Sequence, residues 1–87
     1  MIFMVNTSMM VSNAEFTAKK AADMIKNLFE GMLNTDRFSF MITQIRKRKN
    51  IWVVYIKLIT IFYKDEFKYR ITIDTENNYI TNVEEIK

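Results

Sequence analysis

The sequence predicts an α+β fold, one N-terminal helix packed on a four-stranded antiparallel meander sheet in the order α-β-β-β-β. Three observations carry this. Residues 13–33 place apolar side chains at the helical period. From Phe38 onward the period drops to two. The stretches between the alternating runs are only a few residues long, which joins neighbouring strands as hairpins. The chain has 87 residues, room for one domain. Residues 1–11 read as an N-terminal arm and 12–87 as the single α+β domain.

The helix comes first. Ser12-Asn13-Ala14-Glu15 fits a capping box, in which the Ser hydroxyl takes a backbone N–H and Glu15 reaches back. From there Ala14, Ala18, Ala21, Ile25, Leu28 and Met32 fall on one stripe, flanked by Ala22, Phe29 and Leu33. Glu15, Lys19, Asp23, Lys26 and Glu30 fall on the opposite side, and Asn34-Thr35-Asp36 ends the helix.

The first strand runs from Phe38 to about Arg46, with Phe38, Phe40 and Ile42 alternating against Ser39, Met41 and Thr43. Arg46-Lys47-Arg48-Lys49-Asn50 reads as a polar turn. Residues 51–63 form a long second strand, and Lys64-Asp65-Glu66 turns the chain. In the third strand Phe67, Tyr69, Ile71 and Ile73 alternate with Lys68, Arg70, Thr72 and Asp74. Thr75-Glu76-Asn77-Asn78 makes the last turn, and residues 79–86 the last strand.

Composition bounds the chemistry. There is no Cys and no His, which removes disulfides, thiolate metal sites and the usual nucleophile–base pairs. Asp74, Glu76, Glu84 and Glu85 are dense in carboxylate but lack the spacing of a calcium loop, and read as a solvated acidic face. No catalytic constellation assembles, so the chain is expected to be non-enzymatic, with no metal, cofactor or small-molecule ligand. The start, MIFMVNTSMMVS, has neither the basic region nor the cleavage site of a signal peptide. The apolar run 51–63 is short for a membrane span and carries Lys57. A cytoplasmic protein is expected.

The second strand carries the functional signal. One face shows Trp52, Val54, Ile56, Leu58 and Phe62. The other shows Ile51, Val53, Tyr55, Ile59, Ile61 and Tyr63, broken only by Lys57. One helix covers one face of a sheet, so the second apolar face needs another cover. The N-terminal Ile2, Phe3, Met4 and Val5, a second copy of the chain, or a partner protein can supply it. The leading expectation is a homodimer or protein partner held at Val53, Tyr55, Ile59, Ile61 and Tyr63.

Net charge is +3, and the densest cluster is Arg46, Lys47, Arg48 and Lys49. Beside Trp52 and Tyr55 it suggests a nucleic-acid site of phosphate contacts and base stacking. It better suits a solvated hairpin tip that keeps an apolar strand pair soluble. Charge is also segregated along the chain. Residues 37–49 carry five cations (Arg37, Arg46, Lys47, Arg48, Lys49) and no carboxylate, whereas 74–86 carry four carboxylates and no cation. The two patches either steer copies together head to tail or neighbour one another in one sheet and cancel.

The closing hairpin, Tyr69-Arg70-Ile71-Thr72-Ile73-Asp74 and then Tyr79-Ile80-Thr81-Asn82-Val83-Glu84, resembles that of PepSY domains. That family pairs a Tyr-rich strand ending in Asp with a strand bearing Val or Ile before an acidic residue. Asn77-Asn78 stand where its turn usually carries Gly. The resemblance implies a helix-on-sheet domain without catalytic residues, of a kind commonly extracytoplasmic and tied to peptidase inhibition. A weaker resemblance, in the helix, the Trp-led strand and the closing Tyr-to-Asp strand, is to gas-vesicle accessory proteins of the O type, whose arginine-rich end is missing here.

Overall fold

Thr17 sets the start of the helix. In the computed structural model, which describes residues 16–60 and 66–87, its backbone is extended (φ −122°, ψ 162°). Its hydroxyl accepts the Lys20 N–H at 3.1 Å and its carbonyl accepts that of Ala21 at 3.0 Å. These bonds satisfy donors that a helix terminus leaves open. The helix α1 therefore spans Ala18–Leu33, not 13–33. The capping box expected at Ser12 and Glu15 lies outside the described residues. Phe16, just before the cap, packs edge-on against Trp52 with ring centroids 4.8 Å apart, which ties the helix entrance to the sheet. Asn34, in the left-handed region (φ 56°), ends the helix where expected.

Ala21, Ile25 and Phe29, each four residues on, are fully buried. Phe29, expected on the flank, is part of the buried stripe. Its ring meets Tyr69 at 5.1 Å and Phe38 at 6.4 Å. Ala18 and Met32 share the direction of Ile25 but lie in the terminal turns, and both are exposed. Each large buried side chain contributes about 1.5–3 kcal/mol by leaving water. The ion pairs Lys19–Asp23 and Lys26–Glu30, both 3.3 Å, are largely solvent-exposed and contribute about 0.3–0.5 kcal/mol each. Packing, not surface charge, holds the helix down.

Four strands follow: β1 (Phe38–Arg48), β2 (Ile51–Thr60), β3 (Phe67–Asp74) and β4 (Tyr79–Ile86). They form one antiparallel sheet in chain order, the predicted α-β-β-β-β meander. Beneath α1, β2 supplies Trp52, Val54, Ile56 and Leu58, and β3 supplies Ile71 and Ile73. The expected turn at 46–50 shrinks to Lys49-Asn50, because Arg46, Lys47 and Arg48 stay paired with Val53, Trp52 and Ile51. Lys49 takes φ 50° to close this two-residue turn. Residues 61–65, with the expected end of the second strand and part of the following turn, lie outside the described residues.

Both outer strands carry a β-bulge. In β1 the pairing steps from Ile42↔Ile56 to Gln44↔Tyr55, leaving Thr43 extra. In β4 it steps from Thr72↔Asn82 to Ile73↔Ile80, leaving Thr81 extra. The extra residue is a threonine each time, and its hydroxyl donates to a carbonyl of the inner strand. Thr43 reaches Tyr55 O at 3.2 Å and Thr81 reaches Thr72 O at 3.3 Å. A bulge resets the alternation by one residue. Phe38, Phe40, Ile42 and then Ile45 consequently face the helix, as do Ile80 and then Val83.

Candidate functional site

The helix covers one face of the sheet. No described element covers the other. Reading across the pairing register gives its composition. At the Lys49-Asn50 end stand Arg48, Ile51, Asp74 and Tyr79. Next come Arg46, Val53, Thr72 and Asn82, then Gln44, Tyr55, Arg70 and Glu84. Met41, Lys57, Lys68 and Ile86 follow, and Ser39 and Ile59 close the far end.

Val53, Tyr55 and Ile59 thus lie on the open face as expected, while Ile61 and Tyr63 lie outside the described residues. Val53 and Tyr55 are half-buried between the flanking long side chains, and Ile59 is 39% exposed. The apolar surface is a stripe one strand wide, not a broad plate. Ile51 ends this stripe at 46% exposure, while Met41 on β1 and Tyr79 on β4 stand to its sides at 57% and 52%. Tyr79 was invisible to simple alternation, because the bulge at Thr81 turns it to this side. The spacing Ile80-x-x-Val83 is the signal that could have found it, as Ile42-x-x-Ile45 is for β1.

Strand alternation divides the basic run, and the bulge at Thr43 sets which face each side chain takes. Arg46 and Arg48 join the open face. Lys47 turns to the helix side, its Nζ 4.7 Å from the centre of the Trp52 ring. Lys49 sits in the turn. The four cations are therefore not one patch, and Trp52, 7% exposed beneath Phe16 and Lys47, does not share a face with Tyr55. What the structure does bring together is Arg46, Arg48 and Arg70 around Val53 and Tyr55. They border an open trough of about 720 Å³.

Arg70 is held in place by Glu84, with Nη2 at 2.6 Å and Nε at 2.9 Å from the same carboxylate oxygen. That bond, followed by one with the Tyr55 hydroxyl, raises its pKa further above the ordinary guanidinium value. Lys57 lies 3.8 Å from Glu66. Arg46, Arg48 and Lys68 have no ion-pair partner among the described residues. On the helix side, the Tyr69 hydroxyl pKa is raised by burial and then by Glu85, its partner across β3 and β4. Among the described residues no three carboxylates gather as a metal site, and no helix is long and apolar enough to cross a membrane.

No protein-family model matches this chain, and no curated protein or solved structure is detectably similar to it.

Proposed function

We propose that this chain is a small, non-enzymatic interaction domain that associates through the open face of its sheet, a second copy being the occupant. One observation carries the reading. The exposed large apolar side chains of the described strands, Met41, Ile51, Ile59 and Tyr79, all lie on that face. With Val53 and Tyr55 continuing the stripe between Ile51 and Ile59, this is the apolar surface that association would cover. The resemblance of the closing hairpin to PepSY domains supports the same reading, since that family brings no catalytic residues. Light scattering in about 1 M salt tests it, because charge is then screened within about 3 Å while apolar contact persists. Wild type should show the mass of two chains, and Ile59→Lys the mass of one with an unchanged melting profile. A wild-type mass of one chain under these conditions would overturn self-association through this face.

A second reading is favoured by the three arginines around Tyr55. Such a trough suits single-stranded nucleic acid, with phosphates on Arg46 and Arg48 and a base on the Tyr55 ring. Binding of an oligonucleotide should then weaken steeply with salt and fall in Tyr55→Ala. An oligonucleotide that fails to bind at low salt excludes this reading.

A further inference from the structure

The two outer strands of the sheet are opposite in charge. β1 carries Arg46, Lys47 and Arg48 and no carboxylate, while β4 carries Glu84 and Glu85 and no cation. β2 and β3 stand between them, so the two sets do not neighbour one another inside one sheet and cancel. Among the described residues no strand pairs with the outer edge of either. Charge on an edge strand ordinarily discourages edge pairing. Here it discriminates. The basic run of β1 laid antiparallel on itself sets Arg46 against Arg48, whereas β1 against β4 sets cation against carboxylate.

Register and face agree with this pairing. With β4 antiparallel to β1 of another copy and Glu84 opposite Arg46, residues 82–86 meet 44–48. Arg46, Arg48, Asn82 and Glu84 all project from the open faces, with Arg48 on the diagonal from Glu84. Lys47 and Glu85 both project on the helix side, where they are diagonal neighbours within reach of long side chains. Opposite charges therefore match on both faces at once, and the helices of the two copies stay on the same side.

The backbone permits it as well. The Tyr55 carbonyl is turned toward β1 and the Thr72 carbonyl toward β4, as their threonine bonds show. Alternation then turns the backbone groups of Arg46 and Glu84 inward, and those of Ile45, Lys47, Val83 and Glu85 outward. In the new ladder Ile45–Glu85 and Lys47–Val83 exchange hydrogen bonds. Glu84 and Arg46 form the non-hydrogen-bonded pair, where opposed side chains stand closest.

We propose that a second copy of this chain extends the sheet edge to edge, β4 of one copy pairing antiparallel with β1 of the next around Glu84 and Arg46. The proposal rests on the reading of the chain as a self-associating domain, but bonds through the backbone edges of β1 and β4, which a face-to-face contact leaves unused. The contact is head to tail, so assembly grows with concentration and does not stop at a dimer.

Sedimentation of the full chain carrying Ile59→Lys, which disables the open-face contact, tests the edges alone. At low salt this protein should form species whose mass climbs with concentration, and about 1 M salt should disperse them. Adding Arg46→Glu, or Glu84→Arg, should weaken association roughly tenfold by opposing like charges. Mixing these two variants should restore it, since each then offers the edge that the other lacks. A single-chain mass at low salt in the Ile59→Lys protein overturns the edge proposal and leaves the open-face reading to its own high-salt test. Association that ignores both charge reversals, or that mixing fails to rescue, overturns it too. Circular dichroism of each variant confirms that a loss of mass is not a loss of fold.

Discussion

Asp74 organises the turn that joins β3 to β4. Its carboxylate accepts the backbone N–H groups of Glu76 at 2.9 Å and Asn77 at 3.0 Å, and the Asn77 side-chain amide at 3.0 Å. The chain can then reverse at Asn78, whose φ of 59° is accessible to Asn without glycine. Across the sheet end, Asn50 bonds Glu76 through its side chain and Thr75 through its carbonyl, so the two turns brace each other. The bonds from Asn77 lead in lowering the Asp74 pKa below the ordinary carboxylate range. A group with a lowered folded pKa stabilises fully above its unfolded value. That contribution is lost as pH falls through the folded value. Thermal stability should therefore decline as pH drops below about 3.9. Asp74→Ala should melt lower at neutral pH and show a shallower decline in acid. Equal acid sensitivity in the variant would show that other carboxylates set this limb.

The two bulges decide what each outer strand shows to each side. Thr43 is an insertion in the ladder: the residues before and after it keep the faces they would have if it were absent. Deleting Thr43 should therefore leave the fold intact, joining Ile42↔Ile56 directly to Gln44↔Tyr55. The cost is the hydroxyl bond to Tyr55, about 0.5–1.5 kcal/mol. Deleting Lys57 from β2 should instead throw Leu58 out of the core and unfold the protein. Denaturant melts of the two deletions separate these outcomes. The same bulges mark the limit of what the sequence shows. Strict alternation made β3 and β2 readable, with Phe67 to Asp74 recovered residue for residue. In β1 and β4 the alternation is broken by one residue, and a period-two reading carries the error onward. That is why Tyr79 went unseen, whereas the Arg46–Lys49 cluster read as one patch because 46–50 was taken for a turn and its first three residues are strand. The helix start was missed as well: Ser12 and Thr17 both have capping chemistry, and it is Thr17 that takes the extended backbone and accepts the Lys20 N–H.

At the scale of the whole molecule, β2 is shared between two surfaces with different duties. Its even-numbered side chains face α1, and Val54, Ile56 and Leu58 are almost wholly buried. Its odd-numbered side chains face outward, among arginines. The sequence displayed both faces as apolar, with Lys57 breaking only the odd-numbered one, the face expected to lie outside. The partner elements agree: Ile25 and Phe29 lie on the even side, while Arg46, Arg70 and Lys68 lie on the odd. The difference should appear in one pair of substitutions. Val54→Asp places an unpaired carboxylate in the core, where a buried charge without a partner costs several kcal/mol. For a domain whose total stability is about 5–15 kcal/mol, that is enough to unfold it or nearly so. Val53→Asp places the same carboxylate next to Arg46 and near Arg70, at a half-exposed site. It should leave the melting temperature within a few degrees of wild type while removing apolar contact from the open face. Thermal melts followed by Trp52 fluorescence would read both. Comparable destabilisation by the two substitutions would mean that the odd-numbered face is also interior, covered within the single chain rather than by an associating copy.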